Sequence, residues 1–171
     1  MAILQRFTFS AAAVCGLLFL FSGTSFAQSG SPSGGDLKTV EPIQAVFDIR
    51  VKTPKALASH LDLINDTFED PAFASLKARL NFVVIFMGQA VKFISGPKEG
   101  DSKEDKEHLD AIAAMIPALS ANGIQLEACM FAVNSYGVDP DQIPAEIKKV
   151  KNGWVSSILY QRQGYSLISD F

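Results

Sequence analysis

The feature that most constrains the fold is a continuous apolar run over residues 81–87, in which Phe82 to Met87 carry no polar side chain and Gly88 closes the run. A run of this length predicts a strand that is buried on both faces. Strands of that kind belong to parallel sheets, because the helices that connect parallel strands cover both sides of the sheet. The run therefore predicts an α/β domain, and the remaining elements should alternate between strand and helix.

The segment before this run fits that alternation. Residues 45–51 are rich in branched and aromatic side chains and predict the first strand. A helix is predicted to follow, with Thr53 as N-cap and Pro54 in its first turn, ending at Asp70-Pro71. Its apolar residues recur at helical spacing and form one stripe, which predicts that the helix covers one side of the sheet: Leu57, Leu61, Ile64 and Phe68.

The segment after the run predicts further elements. Residues 88–95 fit either a short helix or a brief strand. A helix is predicted from Asp101-Ser102 to a stop at Asn122-Gly123, bent by Pro117, with Leu109, Ile112, Ala113, Ile116 and Leu119 on its apolar face. A strand over residues 124–130, a proline-started helical turn over 143–147, a helix through 150–160 and a last strand over 165–169 complete the α/β pattern with a mostly parallel sheet.

The amino terminus has the three parts of a secretory signal peptide over residues 1–27. Arg6 precedes an apolar run over residues 7–21, and Ser25-Phe26-Ala27 places small residues where a signal peptidase reads them. An uncleaved membrane anchor is the alternative, since the apolar run is only slightly shorter than the roughly 20 residues that span a bilayer. Cys15 lies inside the run and not at its end, so a lipoprotein is not predicted.

Small and polar residues over 28–39 predict a flexible linker, which leaves one folded domain over residues 40–171. No later segment is apolar enough over its length to cross a bilayer. The sequence thus predicts a periplasmic or secreted product with no membrane association after cleavage.

Several kinds of function are not expected because the residues that they require are missing from the sequence. The net charge of −3, without a basic cluster, disfavours nucleic-acid binding. No phosphate-binding glycine loop, dinucleotide fingerprint or C-x-x-C motif occurs, so neither a cofactor nor intrachain disulfide exchange is expected. His60 and His108 lie on predicted helices among charged neighbours, where surface positions are expected and a metal site is not.

Cys129 remains as the candidate catalytic residue, because Cys15 leaves with the signal peptide. It stands where a predicted strand turns directly into a helical segment. The amide groups of Phe131, Ala132 and Val133 at such a helix start would stabilise a thiolate or a persulfide anion. The alternative is an inert core thiol, since cysteine is among the residues most often buried.

The order and spacing of several segments resemble the DsrE/DsrF-like family of small sulfur-transfer proteins. The resemblance covers residues 46–171 and is carried by residues 82–94, by Leu119 to Gly123 ahead of a strand, by Cys129 with Gly137-Val138 after it, and by the ending 164–168. It implies a three-layer α/β/α sandwich with a sheet of about five strands, and assembly into trimers or hexamers. It also implies that Cys129 carries persulfide sulfur between a donor and an acceptor protein.

Two functions of different classes follow. The first is a periplasmic sulfur carrier, or sulfurtransferase-like protein, with a persulfide on Cys129. The second is a non-catalytic homo-oligomeric binding or assembly module of the same fold, in which exposed Phe131, Tyr136 and Trp154 line an interface or a cleft. A flavodoxin-like redox protein is a third possibility that the missing cofactor loop weakens.

Overall fold

The computed structural model describes residues 42–169. Five strands alternate with four α-helices along this part of the chain. The elements are β1 (Ile43–Ile49), α1 (Pro54–Phe68), β2 (Leu80–Phe86), α2 (Lys103–Ala121), β3 (Gln125–Cys129), α3 (Met130–Ser135), β4 (Ile147–Val150), α4 (Gly153–Arg162) and β5 (Ser166–Ser169).

The strands form one five-stranded sheet in the order β4-β3-β2-β1-β5, and every neighbouring pair is parallel. The apolar run became β2, which lies at the centre with Phe82 to Phe86 buried. The predicted α/β fold with a central, doubly covered strand is confirmed.

Helices lie on both faces of the sheet. On one face, the Phe68 ring of α1 packs edge-on against the Phe82 ring at 5.5 Å between centroids, and α2 lies beside α1. On the other face, Tyr160 of α4 donates a hydrogen bond to Glu127 of β3. Successive strand residues point to opposite faces, so the two contacts define two helical layers around the sheet. The predicted three-layer sandwich is confirmed.

The helix boundaries follow the predicted capping residues. The Ala56 amide donates to Thr53 Oγ1 at 3.2 Å, and the Asp105 amide donates to Ser102 Oγ at 3.0 Å. These side chains satisfy amides that have no partner within their helices. Gly123 ends α2 with a φ of 88°, a conformation that favours glycine.

The predicted helical turn over residues 143–147 is a hydrogen-bonded turn, in which the Ile147 amide donates to the Pro144 carbonyl at 3.0 Å, and not part of a helix. Ile143 is extended, and Ile147 begins β4, which pairs with β3 from Leu126↔Ile147 to Cys129↔Val150. This strand escaped sequence analysis because it lies at the sheet edge and carries Lys148 and Lys149. Lysines on an edge strand hinder pairing with other chains, and they also hide the apolar pattern of a strand.

Two further expectations are corrected or decided. Ala113, predicted on the apolar face of α2, is exposed, and the buried stripe consists of Leu109, Ile112, Ile116 and Leu119. Residues Gly88–Lys92 form a 3-10 helix, which decides between the two alternatives. The helix α2 continues past Pro117, and the bend at that proline stays a prediction.

The predicted signal peptide and linker lie outside the described residues. Within residues 42–169, none of the helices has the length and apolar character that crossing a bilayer requires.

Candidate functional site

The carboxyl ends of four parallel strands meet at one edge of the sheet and surround a cavity of about 520 Å³. Arg50 follows β1, Met87 follows β2, Cys129 ends β3, and Asn152 follows β4 by two residues. This edge is where open parallel sheets bind ligands. The lining is completed by Gly88 and by residues of α3, its C-cap and α4: Phe131, Ala132, Ser135, Tyr136 and Trp154.

Cys129 lies at the base of this cavity. The residue is 5% exposed, and it lines the cavity as both the last residue of β3 and the N-cap of α3. It is free of any disulfide. The strand-to-helix position predicted from the sequence is therefore confirmed.

The predicted stabilisation of a Cys129 anion by the amides of Phe131, Ala132 and Val133 stays a prediction. Cys129 makes no side-chain capping hydrogen bond, although the backbone turns into α3 directly after it.

Arg50 is the cationic residue that lines the cavity together with Cys129. Its Nε and Nη2 donate to the two carboxylate oxygens of Asp48 at 2.8 and 2.7 Å, and its guanidinium lies 5.6 Å from the centroid of the Trp154 ring. Two parallel hydrogen bonds of this kind fix the plane of a guanidinium. The pKa of Arg50 is raised, first by the hydrogen bond to Asp48 and then by the negative charge of Asp48, while partial burial acts in the opposite direction. The Asp48 side chain is buried, whereas the Arg50 side chain is 44% exposed. Of the two residues, Arg50 is the one that lines the cavity.

Gly153 holds α4 against the thiol. A Cβ atom at this position would lie 2.5 Å from Met87 Sδ and 3.1 Å from Cys129 Cβ, closer than ordinary van der Waals contact. The first turn of α4 can therefore approach β2 and β3 only because residue 153 has no side chain. This close approach also places Trp154 at the mouth of the cavity.

A buried carboxylate fastens α4 to the same face of the sheet. Glu127 is 1% exposed and accepts hydrogen bonds from Ser156 Oγ, from Tyr160 OH at 2.9 Å and from Lys148 Nζ at 3.2 Å. The pKa of Tyr160 is raised, mainly because burial disfavours the phenolate and next because the hydroxyl bonds to Glu127. Glu127 and Cys129 are two residues apart on one strand, so both side chains point toward α4.

The structure brings together several of the residues that the sequence analysis proposed for an interface or a cleft. Phe131, Tyr136 and Trp154 are exposed, as predicted, and all three line the cavity with Cys129. Ser135 also lines it, with its hydroxyl donating to the Phe131 carbonyl at 2.7 Å.

Sequence analysis missed Arg50, Asp48 and Glu127. One signal for the first pair was available: an Asp and an Arg two residues apart at a strand end lie side by side on one face. Glu127 was the only charged residue of its strand, and such a residue in a buried strand requires partners.

Comparison with known proteins adds the family and the fold. The sequence model of the DsrE/DsrF-like family matches residues 44–169. No curated protein matches the chain. Two solved structures are similar in fold: a protein of unknown function, MTH1491, from Methanobacterium thermoautotrophicum, and the ychN protein from E. coli.

The MTH1491 structure has a TM-score of 0.58 at 15% identity, and the match covers 75% of this chain and 99% of that one. The ychN structure has a TM-score of 0.53 at 16% identity, and the match covers 75% of this chain and 100% of that one. At such low identity these likenesses concern the fold.

Proposed function

The chain belongs to the DsrE/DsrF-like family, and from this premise we propose that it is an exported sulfur carrier that holds a persulfide on Cys129. The observation that carries the proposal is the position of this thiol, which ends the interior strand β3 and lines an open cavity together with Arg50. The donor and the acceptor are other sulfur-containing molecules that reach this cavity.

The chemistry needs no external oxidant. The Cys129 thiolate attacks the outer sulfur of a donor persulfide, the donor's S–S bond breaks, and its electron pair leaves on the donor thiolate. A new S–S bond joins Cys129 to the transferred sulfur, and the reverse attack by an acceptor thiolate regenerates the Cys129 thiolate. Arg50 stabilises the negative charge of the bound sulfur, and the near-complete burial of Cys129 limits its oxidation by solvent species.

Export is part of the proposal. A signal peptide over residues 1–27 and a linker over 28–39 would deliver a domain of residues 40–171 to the periplasm. Expression of the whole chain with a carboxyl-terminal tag, followed by fractionation and amino-terminal sequencing, tests it. A periplasmic product that begins at Gln28 is expected, and retention of Met1 in the membrane fraction would contradict cleavage.

The persulfide itself is tested by intact-mass measurement. Mature protein is incubated with persulfide donors, and a mass increase of one sulfur atom is expected on the wild type and not on Cys129→Ser. Reduction with a thiol should remove the increment. A wild-type protein that gains no sulfur from any donor refutes the carrier function.

A second candidate function, the homo-oligomeric module, is favoured by the outer surface of α4. Four of its apolar side chains recur at helical spacing and are each more than half exposed: Trp154, Val155, Ile158 and Leu159. A contiguous apolar patch of this kind is typical of an interface. We propose a trimer or hexamer that uses this surface.

Ile158→Glu discriminates the two functions, because Ile158 is not part of the cavity lining. Light scattering should show a smaller assembly for this variant. If the assembled wild type and the smaller Ile158→Glu variant both accept sulfur, the carrier function is independent of assembly. If the wild type assembles and neither state accepts sulfur, the module is the function that remains.

A further inference from the structure

The size of the cavity bears on what reaches Cys129. Pockets that hold small organic ligands have volumes of roughly 300–1,000 Å³, and this one has about 520 Å³. A water molecule occupies about 30 Å³ of liquid. An inorganic anion such as thiosulfate is only a few times larger, so it would leave most of the cavity to solvent.

The walls of the cavity are largely apolar. Phe131 of α3, Tyr136 directly after it and Trp154 of α4 contribute aromatic rings to the lining, and Met87 adds a thioether. Trp154 is 61% exposed, an unusual position for so large an apolar side chain. Flat organic groups bind such surfaces because they remove apolar area from water and stack on the rings. Inorganic sulfur anions offer neither interaction.

The polar side chains of the lining divide into two kinds. Ser135 and Asn152 bond to the backbone, with the Ser135 hydroxyl donating to the Phe131 carbonyl and Asn152 Oδ1 accepting from the Trp154 amide. Arg50 carries the only full positive charge among the lining residues. The carboxylate of Asp48 accepts hydrogen bonds from Nε and Nη2 of Arg50 and thereby fixes the guanidinium plane near Trp154.

We infer that the cavity binds a small organic sulfur compound with an apolar, preferably aromatic, body and one negatively charged group, which places organic hydropersulfides ahead of inorganic sulfur anions as donors. The charged group lies toward Arg50 and Cys129, and the body lies among the three rings. This assignment of the donor rests on the proposed function, whereas the binding of the organic anion does not.

The transfer balances with such a donor. The Cys129 thiolate attacks the terminal sulfur of R–S–SH, the S–S bond of the donor breaks, and R–S⁻ leaves with the electron pair. The terminal sulfur and its proton remain on Cys129 as Cys–S–SH. The reacting sulfur atoms carry one negative charge before and after the step, and it moves from Cys129 to the leaving thiolate R–S⁻. This thiolate is the negatively charged group of the bound compound.

Binding is tested with unreactive probes and the fluorescence of Trp154, which is the only tryptophan of the chain. Thiobenzoate carries an aromatic ring and one negative charge, and thiobenzamide is its neutral near-isostere. Both are titrated into the mature wild type and into Cys129→Ser, with inorganic thiosulfate as the third probe. Saturable binding of thiobenzoate is expected in both proteins, about tenfold tighter than thiobenzamide, which is the factor that one charge-assisted hydrogen bond supplies.

The contribution of Arg50 is tested by two variants. The double variant Asp48→Asn with Arg50→Gln removes both charges and leaves neither buried alone, so the preference for thiobenzoate should fall to about twofold or less. Arg50→Lys keeps the charge and loses the planar fork, and it should retain part of the preference. Circular dichroism checks that each variant folds, and the wild-type comparison of the two probes does not depend on either variant.

The outcomes separate this inference from the proposed function. Equal affinities for thiobenzoate and thiobenzamide, thiosulfate binding as tightly as thiobenzoate, or no saturable change would each overturn the ligand assignment. Sulfur loading of Cys129 that is faster from thiosulfate than from benzyl hydropersulfide would overturn the donor class and leave the carrier function standing. Tight thiobenzoate binding without any sulfur loading would refute the carrier function and leave the ligand assignment standing.

Discussion

Replacing Gly153 by alanine places a methyl group between α4 and the candidate site. The added carbon would lie 2.5 Å from Met87 Sδ, 2.8 Å from Met87 Cγ and 3.1 Å from Cys129 Cβ. Met87 is buried except where it lines the cavity, so its side chain can relieve the overlap only by rotating into that cavity. Forcing a methyl group into a filled core costs about 1–3 kcal/mol.

Helix propensity acts in the opposite direction. Alanine is favoured over glycine by up to about 1 kcal/mol inside a helix, and by less at the first position that Gly153 occupies in α4. We therefore expect Gly153→Ala to lower the free energy of unfolding by about 1–2 kcal/mol. Alkylation of Cys129 by iodoacetamide should also become slower, because the methyl group contacts the cysteine side chain.

The assay is urea unfolding followed by circular dichroism, carried out as a double-mutant cycle with Met87→Ala. Met87→Ala removes both methionine atoms that the new methyl group would meet, so the cost of Gly153→Ala should fall by about 1 kcal/mol or more in that background. An equal cost in both backgrounds would refute this account of the packing. A variant more stable than the wild type would refute it as well.

Further predictions concern the Glu127 network. Glu127→Gln should lower the free energy of unfolding by about 1–3 kcal/mol, because three donors lose a charged acceptor. The exposed control Glu146→Gln should change it by less than about 0.5 kcal/mol. Similar values for the two variants would show that the Glu127 network adds little to stability. The raised pKa of Tyr160 means that the folded protein keeps the phenol proton above about pH 10, where the unfolded chain loses it. The free energy of unfolding should therefore decrease as the pH rises from about 10. Urea unfolding should show a weaker decrease for Tyr160→Phe. If the free energies of the variant and the wild type fall in parallel with pH, Tyr160 is not the group responsible.

Local signals in the sequence were sufficient for most of the fold. The apolar run that became β2 required helices on both faces, and Thr53 and Ser102 started the helices by bonding the free amides that follow them. Such signals act over three or four residues and do not depend on the rest of the molecule. The β4 strand was missed because it carries no such local signal, and only its pairing with β3 identifies it as a strand.

For the candidate site, the sequence identified one residue and the tertiary structure was needed for the other. The sequence identified Cys129 and its place between a strand and a helix, because both neighbours along the chain are visible there. It did not identify Arg50, which lies 79 positions earlier at the end of a strand separated from β3 by β2. A strand pattern contains no information about which other strand ends it will meet.

By itself, then, the sequence determined a doubly covered parallel sheet, its helix caps and a single thiol at a strand end, since these depend on side-chain periodicity and on neighbours a few residues away. Tertiary structure decided which charged residue lines the cavity with that thiol, how closely Gly153 lets α4 approach Cys129, and which partners surround the buried Glu127. Those properties arise from the strand order β4-β3-β2-β1-β5, which brings distant segments to one edge of the sheet. The energies that select this order come from contacts between elements and are not encoded in any one of them.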